Sequence, residues 1–72
     1  MKPITNLEEA VRIVEGFAGD TNSLQLAIDN ALQDPLGLNM AIVLDRVLAR
    51  GWEPDGYTQE EGFRIYRYKP TP

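Results

Sequence analysis

The chain has 72 residues, with seven basic against eleven acidic side chains and neither cysteine nor histidine. This length has room for one domain and one core, so we expect a single domain over residues 1–72. The missing residue types exclude disulfides and any thiolate or imidazole metal site. Because small domains without such links often associate, a second copy is a candidate source of extra stability.

Charge is unevenly distributed along the chain. Residues 1–45 sum to -5 and residues 46–72 to +1, with three basic and no acidic side chains after Gly62. An acidic body repels phosphate backbones, and the C-terminal basic strand is the local exception. No signal-peptide pattern or membrane-length apolar run occurs, so we expect a cytoplasmic protein without a membrane span.

Three short helices are predicted in the first fifty residues, at about 6–18, 22–33 and 39–50. Thr5 and Glu8 form a capping-box pattern for the first helix. The second helix follows several candidate caps at 20–23, and its apolar stripe comprises Leu24, Ala27, Ile28, Ala31 and Leu32. The third is the most apolar. Gly51 is expected to end it in the left-handed conformation, with Trp52 packed against its last turn.

After Trp52 the pattern becomes that of a β-hairpin, at about 52–69. Gln59 to Gly62 has the composition of a hairpin turn with a left-handed glycine. Phe63 to Tyr68 is predicted as a strand from its alternation and its aromatic content. Pro54 has no N–H to donate, so the preceding strand is expected at an edge.

The predicted fold is α+β, with three short helices followed by a C-terminal two-stranded antiparallel β-hairpin. This order resembles that of a winged helix in topology alone. The resemblance implies that the third helix enters the DNA major groove. Its first residues, Met40 to Leu44, are apolar, however, and favour a core position. Duplex readout through this helix is therefore not expected.

Few side chains in the sequence are suited to catalysis. It has one serine and two lysines near the termini, and acid–base and nucleophilic catalysis mostly use histidine, cysteine, serine or lysine. Asp20 and Asn22 resemble the start of a calcium loop, but Ala31 stands where the bidentate glutamate belongs. We expect no enzyme, no cofactor and no metal site.

Tyrosine and arginine alternate along the last strand. With Thr58 opposite Phe63, the side chains of Arg64, Tyr66 and Tyr68 share a face with Tyr57. We expect Phe63 and Ile65 to pack inward with Trp52, which leaves the tyrosines partly exposed. The predicted interaction surface consists of Tyr57, Arg64, Tyr66, Arg67 and Tyr68.

Three interpretations of this surface are open. The tyrosines can simply pack against cross-strand neighbours with their hydroxyl groups exposed to solvent. They can form a protein interface, where Tyr and Arg are enriched, or stack the bases of single-stranded nucleic acid. The net negative charge of the chain favours a protein partner over a nucleic acid. We therefore expect a non-catalytic protein–protein interaction or assembly module, binding another protein or a second copy along the open edge of the last strand. The alternative is a nucleic-acid-associated regulator of winged-helix type that uses the Arg/Tyr strand.

Overall fold

The computed structural model describes residues 2–17, 23–33 and 37–72. Over these residues the chain forms helix α1 (Leu7–Gly16), strand β1 (Leu24–Asp29), a 3-10 turn (Asn30–Leu32), helix α2 (Leu38–Ala49) and strands β2 (Trp52–Gln59) and β3 (Phe63–Pro70). The three strands make one antiparallel sheet in the order β1-β3-β2. Both helices pack on one face of this sheet.

The first predicted helix is confirmed, with a different cap. Asn6 rather than Thr5 is the N-cap, and its side-chain oxygen accepts the Glu9 N–H at 2.7 Å. Along the exposed side of the helix, Glu8 and Arg12 form an i,i+4 ion pair at 3.2 Å. The helix ends at Gly16, short of the predicted end at residue 18, because the backbone of Phe17 is already extended; residue 18 lies outside the described residues.

The second predicted helix is wrong, because its central residues form strand β1. Leu24, Leu26 and Ile28 alternate along this strand, and all three are buried. Asp29 then caps the 3-10 turn by accepting the Ala31 N–H at 2.8 Å. The candidate caps at 20–22 lie outside the described residues.

The predicted fold class is therefore also wrong in its architecture. The described residues form two helices and a three-stranded sheet, in place of three helices and a two-stranded hairpin in winged-helix order. Strand β3 is central, paired with β1 on one side and β2 on the other. Because both edges of β3 are hydrogen-bonded to neighbouring strands, β3 has no free edge that could pair with a second copy. A two-stranded ribbon is marginal alone, and β1 from the same chain supplies the third strand.

The third predicted helix and the hairpin are confirmed. Helix α2 is followed by Gly51 at φ +81°, and the hairpin loop contains Gly62 at φ +86°, both left-handed as predicted. Trp52 packs on the core with its ring edge-on to Phe17, at 5.2 Å between centroids, and it is half-buried. Pro54 lies in edge strand β2, as predicted.

The core lies between the sheet and the two helices. Its most buried large side chains come from all layers, and they are Val14, Leu26, Ile28, Val43 and Val47. Ile4 extends the sheet beyond β1, since its N–H donates to the Ala27 carbonyl at 2.7 Å and its own carbonyl accepts the Asp29 N–H at 2.9 Å. That bridge covers part of the outer edge of β1 and leaves β2 as the longer open edge.

Candidate functional site

Four of the five predicted interaction residues, Tyr57, Arg64, Tyr66 and Tyr68, share a face, but it is the face that the helices cover. Tyr68 pairs with Leu24 and Tyr66 with Leu26, so both tyrosines follow the core side of β1. Tyr68 is only 3% exposed, and burial raises its pKa to about 12. Arg67 belongs to the opposite face, as expected.

The expectation that Phe63 and Ile65 pack inward is wrong. Ile65 pairs with Ala27 on one side and Thr58 on the other, on the sheet face that carries no helix, and both Phe63 and Ile65 are half-buried there. Strand β1 decides the orientation, because its buried leucines lie across from the tyrosines. A sequence interpretation that lacked β1 had no means to choose between the faces.

The hairpin register differs by two residues from the predicted one. Thr58 lies opposite Ile65 instead of Phe63, and Tyr57 lies opposite Tyr66 instead of Arg64. Side chains alternate between the two faces of a strand, so a shift of the pairing by two residues leaves every side chain on the face that was predicted for it. The shared face was therefore correct even though the pairs were not.

Tyr57 and Arg64 are the centre of a polar–aromatic cluster beyond the helical cover. The Arg64 guanidinium carbon lies 4.7 Å from the Tyr57 ring centroid, and the Tyr57 and Tyr66 rings are 5.5 Å apart. Arg64 Nε donates to Gln59 Oε1 at 2.6 Å. The Tyr66 hydroxyl donates to Gln33 Oε1 at 2.7 Å and accepts from Arg64 Nη1 at 3.3 Å. The hydrogen bond to Tyr66 raises the pKa of Arg64, so its positive charge is maintained.

An apolar groove runs between α2 and the hairpin beside this cluster. We call it the hairpin groove; its volume is about 210 Å³ and its lining is Met40, Leu44, Pro54, Gly56, Tyr57, Tyr66, Arg67 and Tyr68. Tyr57 is 52% exposed at its mouth, and Leu44 is 37% exposed along its wall. Leu48, one turn further along α2, is 53% exposed. The groove thus presents both aliphatic and aromatic surface to solvent.

Sequence reasoning placed the α2 side of this groove in the core. Met40 and Leu44 belong to the apolar stripe that was expected to be buried, whereas Val43 and Val47 alone are fully buried on α2. The sequence did indicate exposed apolar surface here: apolar residues occur on almost every side of this helix, and a single buried face cannot accommodate all of them. Gln33, which fixes the Tyr66 hydroxyl, was assigned to a helix that does not form.

Arg64 and Arg67 both have neutral partners, but only Arg64 presents its guanidinium at the mouth of the groove. Arg64 is bonded to Gln59 and Tyr66, whereas Arg67 Nη1 donates to Thr58 Oγ1 at 2.7 Å on the opposite sheet face. Lys69, by contrast, lies 3.9 Å from carboxylates of both Glu53 and Asp55. Among residues 2–17, 23–33 and 37–72, Arg64 has no carboxylate within 4 Å. The apolar groove therefore has one guanidinium group at its mouth, that of Arg64, without an acidic counter-charge.

The described residues form neither a metal cluster nor a membrane-length helix. In the described part of the chain no three acidic side chains come close enough together to hold a metal ion. Neither described helix has the length and apolarity to cross a bilayer. Protein-family models, curated proteins and solved structures were each compared with this chain, and none matches it.

Proposed function

We propose that this chain is a non-catalytic protein-binding module whose hairpin groove takes an extended acidic–apolar segment of another protein. The observation that carries the proposal is Tyr57, half-exposed at the mouth of an apolar groove with the Arg64 guanidinium over its ring. Aromatic and arginine side chains in such settings supply most of the binding energy at protein interfaces.

The apolar half of the ligand follows from the walls. Met40, Leu44 and Pro54 present aliphatic surface to a groove of about 210 Å³, which suits one or two medium-sized side chains. Burying such a side chain is worth about 1.5–3 kcal/mol. An extended ligand segment fits the groove because the groove runs along the edge strand β2.

The acidic half of the ligand follows from Arg64. Arg64 bonds only to neutral groups, so a carboxylate of the ligand would be its first opposite charge among the described residues. Charge-assisted hydrogen bonds to a guanidinium are about twice as strong as neutral ones. Gln59 and Tyr66 already hold Arg64 in place, so little side-chain entropy is lost on binding.

Protein is favoured over single-stranded nucleic acid by two observations. The net charge of -4 opposes a phosphate backbone, and the α2 wall of the groove is aliphatic where a stacking surface would need more aromatic rings. The winged-helix alternative has also lost its basis, because residues 24–29 of the predicted second helix form strand β1 in a sheet of order β1-β3-β2.

A random-peptide display selection on the immobilised protein tests the proposal. We expect selected peptides to carry Asp or Glu within a few residues of a Leu, Ile, Met or aromatic residue. Their affinity should fall by about tenfold or more in Tyr57→Ala, as at interface hot spots. Phe63→Ala removes an aromatic ring from the opposite sheet face and should leave the affinity unchanged.

Two outcomes would contradict the proposal. The first is a consensus without acidic residues whose binding is insensitive to Tyr57→Ala. The second is binding of an oligothymidine probe at physiological salt that falls steeply as salt rises and is lost in Tyr57→Ala. That result would assign the groove to single-stranded nucleic acid.

A further inference from the structure

A second exposed apolar surface lies on the other side of α2. We call it the outer stripe and define it as Leu38, Ile42, Asp45 and Ala49, with Arg46 beside it. Leu38 is 60% and Ile42 41% exposed. Ile42 and Leu44 are two positions apart and so point about 200° apart around the helix, which separates the outer stripe from the hairpin groove.

The spacing of the outer stripe is that of a helix–helix seam. Its members are four, three and four residues apart, the spacing at which side chains of one helix meet a partner helix along its length. The stripe borders a broad, open groove of about 750 Å³ between α1 and α2, where Ile42 and Arg46 lie across from α1 residues such as Leu7 and Val11. α1 therefore leaves the stripe uncovered.

Asp45 in the outer stripe and Arg46 beside it are adjacent and opposite charges, and Glu8, Arg12 and Glu15 of α1 line the groove next to them. Arg46 Nη1 lies 3.7 Å from Asp45 Oδ2, and the two side chains are 48% and 77% exposed. Such an exposed pair adds little to the stability of one chain. Across a twofold axis, however, two neighbouring opposite charges are complementary to themselves.

We propose that the outer stripe binds the same stripe of a second copy, with the two α2 helices antiparallel and the twofold axis between Asp45 and Arg46. In this register Asp45 faces Arg46 of the second copy, and Ile42 faces Ala49 of the second copy. Each contact occurs twice, because a twofold interface is isologous. The large Ile42 thus meets a small side chain, Asp45 and Arg46 each meet the opposite charge, and Leu38 lies beyond the end of the second copy's α2.

The antiparallel arrangement follows from the charges. A parallel pair in register would set Asp45 against Asp45 and Arg46 against Arg46, which is repulsive. The antiparallel pair also leaves both hairpin grooves open, on the far sides of the two helices. The dimer is thus independent of the proposed function, and a groove without a ligand would leave it unaffected.

Sedimentation equilibrium over about a hundredfold range of concentration tests the dimer and its register. We expect the native chain to approach twice its monomer mass at high concentration. Asp45→Arg sets two arginines against each other and Arg46→Asp sets two aspartates together, so each should raise the dimer Kd by about tenfold or more. The double variant Asp45→Arg with Arg46→Asp exchanges the charges and should restore the native Kd.

Controls separate this contact from loss of fold and from net charge. Glu61→Arg makes the same change in net charge as Asp45→Arg, in the exposed hairpin loop, and should leave the Kd unchanged. Ile42→Ser should weaken the dimer while the circular dichroism of the helices is retained, since Ile42 is already partly exposed. A single species at monomer mass throughout would overturn the proposal. So would a dimer that the single charge reversals do not weaken, or one that the double variant fails to restore.

Discussion

Trp52 and Tyr57 lie on the same face of the sheet although they are five residues apart in one strand. Side chains in a regular strand alternate, so an odd spacing places two residues on opposite faces. Here Trp52 pairs with Pro70 and Tyr57 with Tyr66, and β2 has one more residue than β3 in the segment between Pro54 and Tyr57. This extra residue is a β-bulge. It lets one strand supply Trp52 to the core and Tyr57 to the hairpin groove.

The bulge depends on Gly56, which has φ +88°. Gly56→Ala should destabilise the fold by about 1–2 kcal/mol, because L-residues rarely adopt this conformation. The added Cβ would also lie 3.3 Å from Arg67 Nη2. Urea unfolding of the variant measures the loss.

Gly16→Ala is the matched control for this change. Gly16 ends α1 without a positive φ, and a Cβ there meets no atom within 4 Å. Alanine should therefore stabilise the fold by up to about 1 kcal/mol. Equal effects of the two substitutions would mean that the bulge does not need glycine.

The error at β1 shows what local pattern cannot decide. Leu24 and Ile28 fit a buried stripe whether the segment is a strand or a helix, since they are four residues apart. Leu26 completes a period of two, while Ala27 and Ala31 complete a helical one. The choice depends on strand β3, about forty residues further along the chain, because the edge of β3 that β2 does not occupy needs a partner. Short apolar segments are settled by such distant pairing, whereas α1 has its own N-cap, α2 its own terminating glycine and the hairpin its own turn.

Leu26 distinguishes the two interpretations experimentally. The predicted helix left Leu26 outside its apolar stripe, but in β1 it is 2% exposed and pairs with Tyr66. Leu26→Ala should therefore cost about 2–5 kcal/mol of unfolding free energy, as core leucines do. Gln25→Ala, on the exposed neighbour, should change it by less than about 0.5 kcal/mol. Similar small effects at both positions would argue against the strand.

The candidate site was predictable only in part. Alternation along β3 was enough to group Arg64, Tyr66 and Tyr68, because a face is a local property of a strand, and the predicted hairpin pairing added Tyr57 from β2. It could not show that Tyr68 is buried while Tyr57 is exposed. That difference comes from where α2 crosses the sheet, which no single segment encodes. The α2 wall of the groove, with Leu44, was missed for the same reason.

The edge-on contact between Phe17 and Trp52 joins the end of α1 to the start of β2. Their centroids are 5.2 Å apart at an interplanar angle of 79°. Such pairs are worth about 0.5–1.5 kcal/mol beyond the area that they bury. A double-mutant cycle of Phe17→Ala and Trp52→Ala, followed by urea unfolding, should give a coupling energy of this size. Additive losses would show that the two rings stabilise the fold independently.

Tyr68 should make stability depend on pH at the alkaline end. Burial raises its pKa from the ordinary 10.0 to about 12 in the folded chain. Below pH 10 the hydroxyl is protonated in both states, and its contribution to stability is complete. Between pH 10 and pH 12 the unfolded chain loses this proton while the folded chain keeps it, so the unfolding free energy must fall as pH rises. The slope is at most about 1.4 kcal/mol per pH unit, the value for one proton. Tyr68→Phe has no hydroxyl to ionise and should lack this part of the decline, so urea unfolding of both proteins across the window isolates it. Parallel pH profiles for the two proteins would show that the Tyr68 hydroxyl ionises as readily in the folded chain as in the unfolded one.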